Sequence, residues 1–197
     1  MASVVKMEND NKFPKARILK TPFLSSIRDF KPDGVKLGIE RVSRLFPVKQ
    51  DEEKAQMMVE MGVLEDMPKC RVAVLDEDGE YVTIKDELTG KDQKKLEIVE
   101  IKESDVELFP IFFPCGRPEE ITNEADLIFY PTSSAYPLFK FALQNAGELP
   151  EKMGNEPFKT TQVELKDALE GLIFTAKCEE IKGKFNYMRM QVEPAEL

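Results

Sequence analysis

The chain has no histidine and no tryptophan, and its three cysteines, Cys70, Cys115 and Cys178, stand far apart. Without histidine there is no imidazole general base, no Ser-His-Asp or Cys-His pair and no His-ligated metal. An odd set of isolated cysteines with no C-x-x-C pair argues against a disulfide framework and a zinc site, and for a reducing compartment such as the cytoplasm. No apolar run nears the ~18–20 residues of a membrane span. Residues 1–5 break at once into Lys6, Glu8 and Asp10, so no secretory leader is expected. Gly-rich phosphate loops, nucleophile elbows and dinucleotide fingerprints are missing too. The expectation is a non-enzymatic protein with no cofactor, no metal and no membrane partner. Its 197 residues, 42% of them hydrophobic, suffice for one elaborated domain with a real core.

Charge is abundant and unevenly placed. The net charge is −9, yet residues 1–50 hold eleven bases against five acids, a balance of +6. The remaining residues hold 17 bases against 32 acids, a balance of −15. A basic arm ahead of an acidic body suggests polyanion contact confined to one strip, because Lys and Arg beside phosphates release condensed counterions. Lys15, Arg17 and Lys20 are the arm's candidates. A solubilising tail would have the same composition.

Residues 1–34 carry Pro14, Pro22 and Pro32 at near-even spacing and close on Pro32-Asp33-Gly34, which predicts a basic, partly extended arm with short strands. Residues 35–197 read as a single β-barrel-like domain. Lys36-Leu37-Gly38-Ile39-Glu40-Arg41-Val42 alternates like a strand. Residues 51–61 read as a helix, with Asp51 as cap, acids in its first turn and Gly62 at its end. Residues 71–75 and 81–85, around Asp76-Glu77-Asp78-Gly79-Glu80, predict a hairpin. Residues 96–101, 106–113 and 127–130 predict three more strands. Ser133 or Ser134 can cap a helix running to about Ala146, with Pro137 in its first turn and Gly147 beyond it. Thr161-Gln162-Val163-Glu164 fits a capping box, and Gly171 ends the helix it opens. A hairpin closes the chain. The sum is a mainly β, α+β domain: an OB-like antiparallel β-barrel with helical insertions.

The last hairpin sorts by face, because side chains alternate along a strand. Leu172, Phe174, Ala176 and Cys178, with Met188, Met190 and Val192, form an apolar set. Phe185, Tyr187 and Arg189 line the other face, beside Thr175 and Lys177. Rings that stack on bases and cations that follow phosphates suit single-stranded nucleic acid. A covering helix or arm would equally account for the two rings. Phe112-Phe113-Pro114 and Phe129-Tyr130-Pro131 are adjacent pairs, so one ring of each points outward and could extend the platform.

Two catalytic readings are weaker. Asp76-Glu77-Asp78-Gly79 lacks the ligand spacing of a calcium loop and reads as a solvated turn. Glu100-Ile101-Lys102 on a strand, with Asp76 or Asp78, has the acid-x-Lys form of a metal-dependent nuclease, but a chain with 33% charged residues produces such triplets by chance.

The closing ~70 residues run from a strand at residues 127–130 through Tyr136-Pro137-Leu138-Phe139-Lys140 and Ala168-Leu169-Glu170-Gly171. They end in the Gly183-Lys184 turn and Tyr187. This order resembles the C-terminal part of virus- or phage-type replication-module proteins, often OB-fold-like and linked to single-stranded DNA. The resemblance implies a replication or recombination accessory role, with DNA ahead of RNA, replication proteins as partners, and for a virus-encoded protein the host cytoplasm. It places Lys184, Phe185, Tyr187 and Arg189 nearest the strand, with Lys177 and the arm adding phosphate contacts. The main alternative is a protein–protein interaction module, such as a viral inhibitor, adaptor or DNA mimic, in which the acidic body engages a basic partner. A nuclease comes third.

Overall fold

In the computed structural model, residues 21–74, 76, 81–102 and 108–196 are described. The first elements are α1 (Thr21–Phe30), β1 (Val35–Val42), β2 (Phe46–Val48), β3 (Asp51–Val63) and β4 (Met67–Ala73). Then come β5 (Thr83–Lys85), β6 (Asp92–Lys94), β7 (Leu96–Ile101) and β8 (Leu108–Pro114). The last are β9 (Leu127–Phe129), α2 (Tyr136–Asn145), β10 (Phe158–Thr160), α3 (Gln162–Leu169), β11 (Ile173–Ile181) and β12 (Tyr187–Pro194). The protein is mainly β with three helices among the described residues, as the α+β expectation required.

The main sheet is built around β3, where the sequence predicts a helix. Glu, Lys, Ala, Gln and Met favour helix locally, but Ala55, Met57, Val59, Met61 and Val63 also recur at every second position, and all five are buried. Bonding on both sides decides between the two periods: Leu37–Val42 of β1 pair with residues 59–63, and β8 pairs with residues 56–62. Tertiary pairing outweighs a helix propensity of only a few tenths of a kcal/mol per residue. Sheet order is β12-β11-β1-β3-β2, with β8 also on β3, and every pairing is antiparallel. No pairing between β8 and β12 is present among the described residues, so the sheet is not found closed into a barrel.

Gly34 shows how tightly the sheet is entered. Its φ of +104° suits glycine, and a Cβ there would meet Thr175 Cγ2 at 2.6 Å. Glu60, on the outer side of β3, is 5% exposed. Burial pushes its carboxyl above the ordinary range, Arg41 reaches it at 3.4 Å, and its Oε2 has no hydrogen-bond partner among the described residues.

Three further expectations are corrected. Residues 21–30 are a helix rather than extended arm, since Pro22 falls in the first turn, where a missing N–H costs little. Residues 71–73 do not pair with residues 83–85: β4 pairs with β7, and β5 pairs with β6 through a turn in which Leu88 and Thr89 N–H donate to Asp86. Val74 and Val82 are bonded at the junction, while residues 77–80 lie outside the described set. Neither Ser133 nor Ser134 caps α2. Ala135 is its N-cap and has no side-chain bond. The Thr161 capping box is present, with Glu164 donating to Thr161 Oγ1 at 3.3 Å and its carboxylate accepting from Thr161 N–H at 3.0 Å.

The helices dock by different means. In α2, Phe139 packs 5.2 Å from Phe113 and 5.0 Å from Phe129, and Tyr136 donates from its hydroxyl to Glu156 O at 2.6 Å. In α1, Ser26 accepts from Arg71 N–H, Asp29 holds the Arg71 guanidinium at 2.8 Å, and that guanidinium lies 4.7 Å from the Phe30 ring centre. No helix among the described residues is long and apolar enough to cross a membrane.

Candidate functional site

The sheet's two end strands leave their outer edges unpaired among the described residues, and both line one groove of about 850 Å³. Pairing fixes which side chains each contributes. Phe113 lies opposite Met57 and Ile111 opposite Val59, so both come from the core side of β8, while Phe112, opposite Met58, comes from the outer side. From β12 come Met188, Arg189 and Met190. Phe46 and Lys49 enter from β2 and its turn, and Gln56 from β3. Phe46 meets Phe112 edge-on at 6.2 Å, leaving Phe112 39% exposed.

Electrostatics distinguish the groove from the surface around it. In a protein with nine more acids than bases, no carboxylate lines the groove among the described residues, yet Lys49 and Arg189 do. Arg189 lies across the ladder from Glu179, the obvious counterion. Glu179 instead accepts a hydrogen bond from Gln191. The Arg189 Nε is buried with no hydrogen-bond partner among the described residues. Its charge acts on Tyr136 of α2, whose phenol is pushed up by burial and by Glu156 and pulled back by Arg189.

The remaining sequence-derived residues divide. Phe185 is 78% exposed but sits in the turn before β12, not on the strand, with Lys184 Nζ 6.0 Å from its ring centre. Tyr187, the first residue of β12, is 45% exposed. Neither ring is packed beneath a helix. Lys177 is engaged with Glu193 at 2.9 Å, so this side of the hairpin mixes charges of both signs. Lys15, Arg17 and Lys20 lie outside the described residues. Of the adjacent aromatic pairs, Phe112 and Tyr130 point outward while Phe113 and Phe129 are buried.

The groove brings Arg189 together with Phe46, Lys49, Gln56 and Met188, which the sequence reading missed as site residues. Phe112 was legible as the outward member of a pair. The others had no local signal, because β2 and β8 reach β12 only through long-range pairing. The nuclease triplet is a surface pair, with Lys102 4.0 Å from Glu100. Among the described residues no group of three or more His, Cys, Asp or Glu converges as metal ligands. Compared with known proteins, the chain matches no family, no curated protein and no solved structure.

Proposed function

We propose that the protein binds single-stranded nucleic acid, DNA ahead of RNA, without catalysing a reaction, and that it serves a replication or recombination module. On this reading the fold is an OB-like barrel left open along one seam, and the strand runs through that seam and over the tip of the last hairpin. The supporting observation is the groove itself: aromatic rings and two cations, with no carboxylate among its described lining residues, on a protein of net charge −9. Phe112, Phe185 and Tyr187 supply faces on which bases stack, and Arg189, Lys49 and Lys184 supply phosphate contacts.

Titration with labelled oligo-thymidylate tests this. With three phosphate contacts, the logarithm of affinity should fall with the logarithm of salt at a slope of about −2. No binding at low salt would remove the proposal.

One observation favours the second reading, a protein–protein interaction module. Ile84, Leu88, Leu96 and Ile98 are all exposed on and around the β5–β6 hairpin and β7. Stoichiometric capture of a protein partner without nucleic acid, abolished by Ile98→Asp, would put that reading first.

A further inference from the structure

We infer that the groove between β2, β8 and β12 is a subsite for one nucleoside phosphate, with Arg189 as the group that takes its acceptor oxygen. This rests on the strand-binding reading and gives it a unit. The groove's volume falls within the ~300–1,000 Å³ typical of small-ligand sites, which are mostly apolar with a few convergent polar groups.

Its lining has that composition. Phe112 and the thioethers of Met188 and Met190 offer flat or polarizable surface to a heteroaromatic ring. Gln50, Gln56 and Ser134 offer donors and acceptors to a base edge or sugar. Arg189 supplies the asymmetry. A buried N–H without an acceptor is rare in folded proteins, because the lost hydration goes unreplaced. Gln191 donates to Glu179 Oε2, and Arg189 Nε has no hydrogen-bond partner among the described residues, so an acceptor entering the groove would supply one. A nucleotide brings both parts, an oxyanion for the guanidinium and a ring for the apolar wall, which bare phosphate or a bare aromatic does not. Turning the Arg189 side chain toward such a ligand would give its Nε an acceptor.

A free nucleotide and a nucleotide within a strand share this chemistry, and competition separates them. Full-length protein is loaded with fluorescein-labelled oligo-thymidylate at low salt, then challenged with thymidine monophosphate or inorganic phosphate while anisotropy is read. The monophosphate should displace the oligonucleotide, and phosphate at the same concentration should not. Arg189→Lys keeps the charge but loses the Nε donor, and should weaken the monophosphate about ten-fold or more, as expected for a hydrogen bond to a charged group. Phe185→Ala, at the hairpin tip, should weaken the oligonucleotide and leave the monophosphate unchanged. A melting curve checks that Arg189→Lys folds; if it does not, Gln56→Ala takes its place with the same expected direction. If the oligonucleotide binds but millimolar monophosphate fails to displace it, the subsite is wrong and the strand reading stands. If binding is indifferent to Arg189→Lys, the role given to Arg189 is wrong. If neither ligand binds, the strand reading and the subsite fail together.

Discussion

Phe139 and Phe112 are the same residue type in neighbouring parts of the molecule, and their surroundings oppose each other. Phe139 is fully buried between Phe113 and Phe129, in a cluster that continues to Phe158 and Tyr136. Phe112 meets Phe46 edge-on and keeps more than a third of its surface in water. The first ring spends its apolar surface on holding α2 to the sheet. The second remains partly open to water. One pleat separates Phe113 from Phe112, so adjacent residues of one strand are buried on one side and partly open to water on the other.

The largest expected effect tests the buried member. Phe139→Ala should destabilise by ~3–5 kcal/mol, because a ring and its contacts are replaced by a cavity. Urea unfolding measures it, and a loss under ~1 kcal/mol would break the contrast, since that is typical of surface positions. Next in size, Phe112→Ala should cost ~1–3 kcal/mol of oligonucleotide affinity, the range for one stacked base, with a far smaller change in stability. A variant equally stable and equally tight would remove Phe112 from the site.

The smallest effect concerns α1, whose Leu24 also lines the groove. Hydrogen bonds from Arg28 and then Arg71 hold the Asp29 carboxyl at about 2, down from 3.8. The folded state therefore takes up that proton less readily than the unfolded chain. Its stabilising contribution is complete above the ordinary value and is lost as pH falls through about 2. Asp29→Asn should melt below the native protein at neutral pH and converge with it near pH 2, to an extent reduced by solvent screening. Parallel melting curves across that range would show that α1 docks without this pair.

Legibility in the sequence follows the range of the interaction. The Thr161–Glu164 capping box spans four residues and was readable, as was β7 at Leu96–Ile101. Strand β3 is ambiguous in sequence because its two periods coexist and only distant partners choose between them. The local pattern offers β4 a neighbouring partner, but it pairs with β7. At the site, the alternation of β12 separated Arg189 from Met188 and Met190, yet the groove draws on both sides of that strand at its unpaired edge. Nothing local in Phe46, Lys49 or Gln56 announces a shared cavity with Arg189. The missing partner of Arg189 Nε among the described residues was equally hidden, since it is a matter of cross-strand geometry.

Position in the sheet also sets the order in which backbone amides become accessible to solvent. Strand β3 is paired on both flanks at residues 59–62, whereas β12 is held by β11 alone among the described residues. Deuterium should therefore enter the carboxyl-terminal strand well before the middle of the sheet. An occupant of the seam would clamp the strand that opens most readily, and its slowed exchange would register arrival of the guest without any label on it.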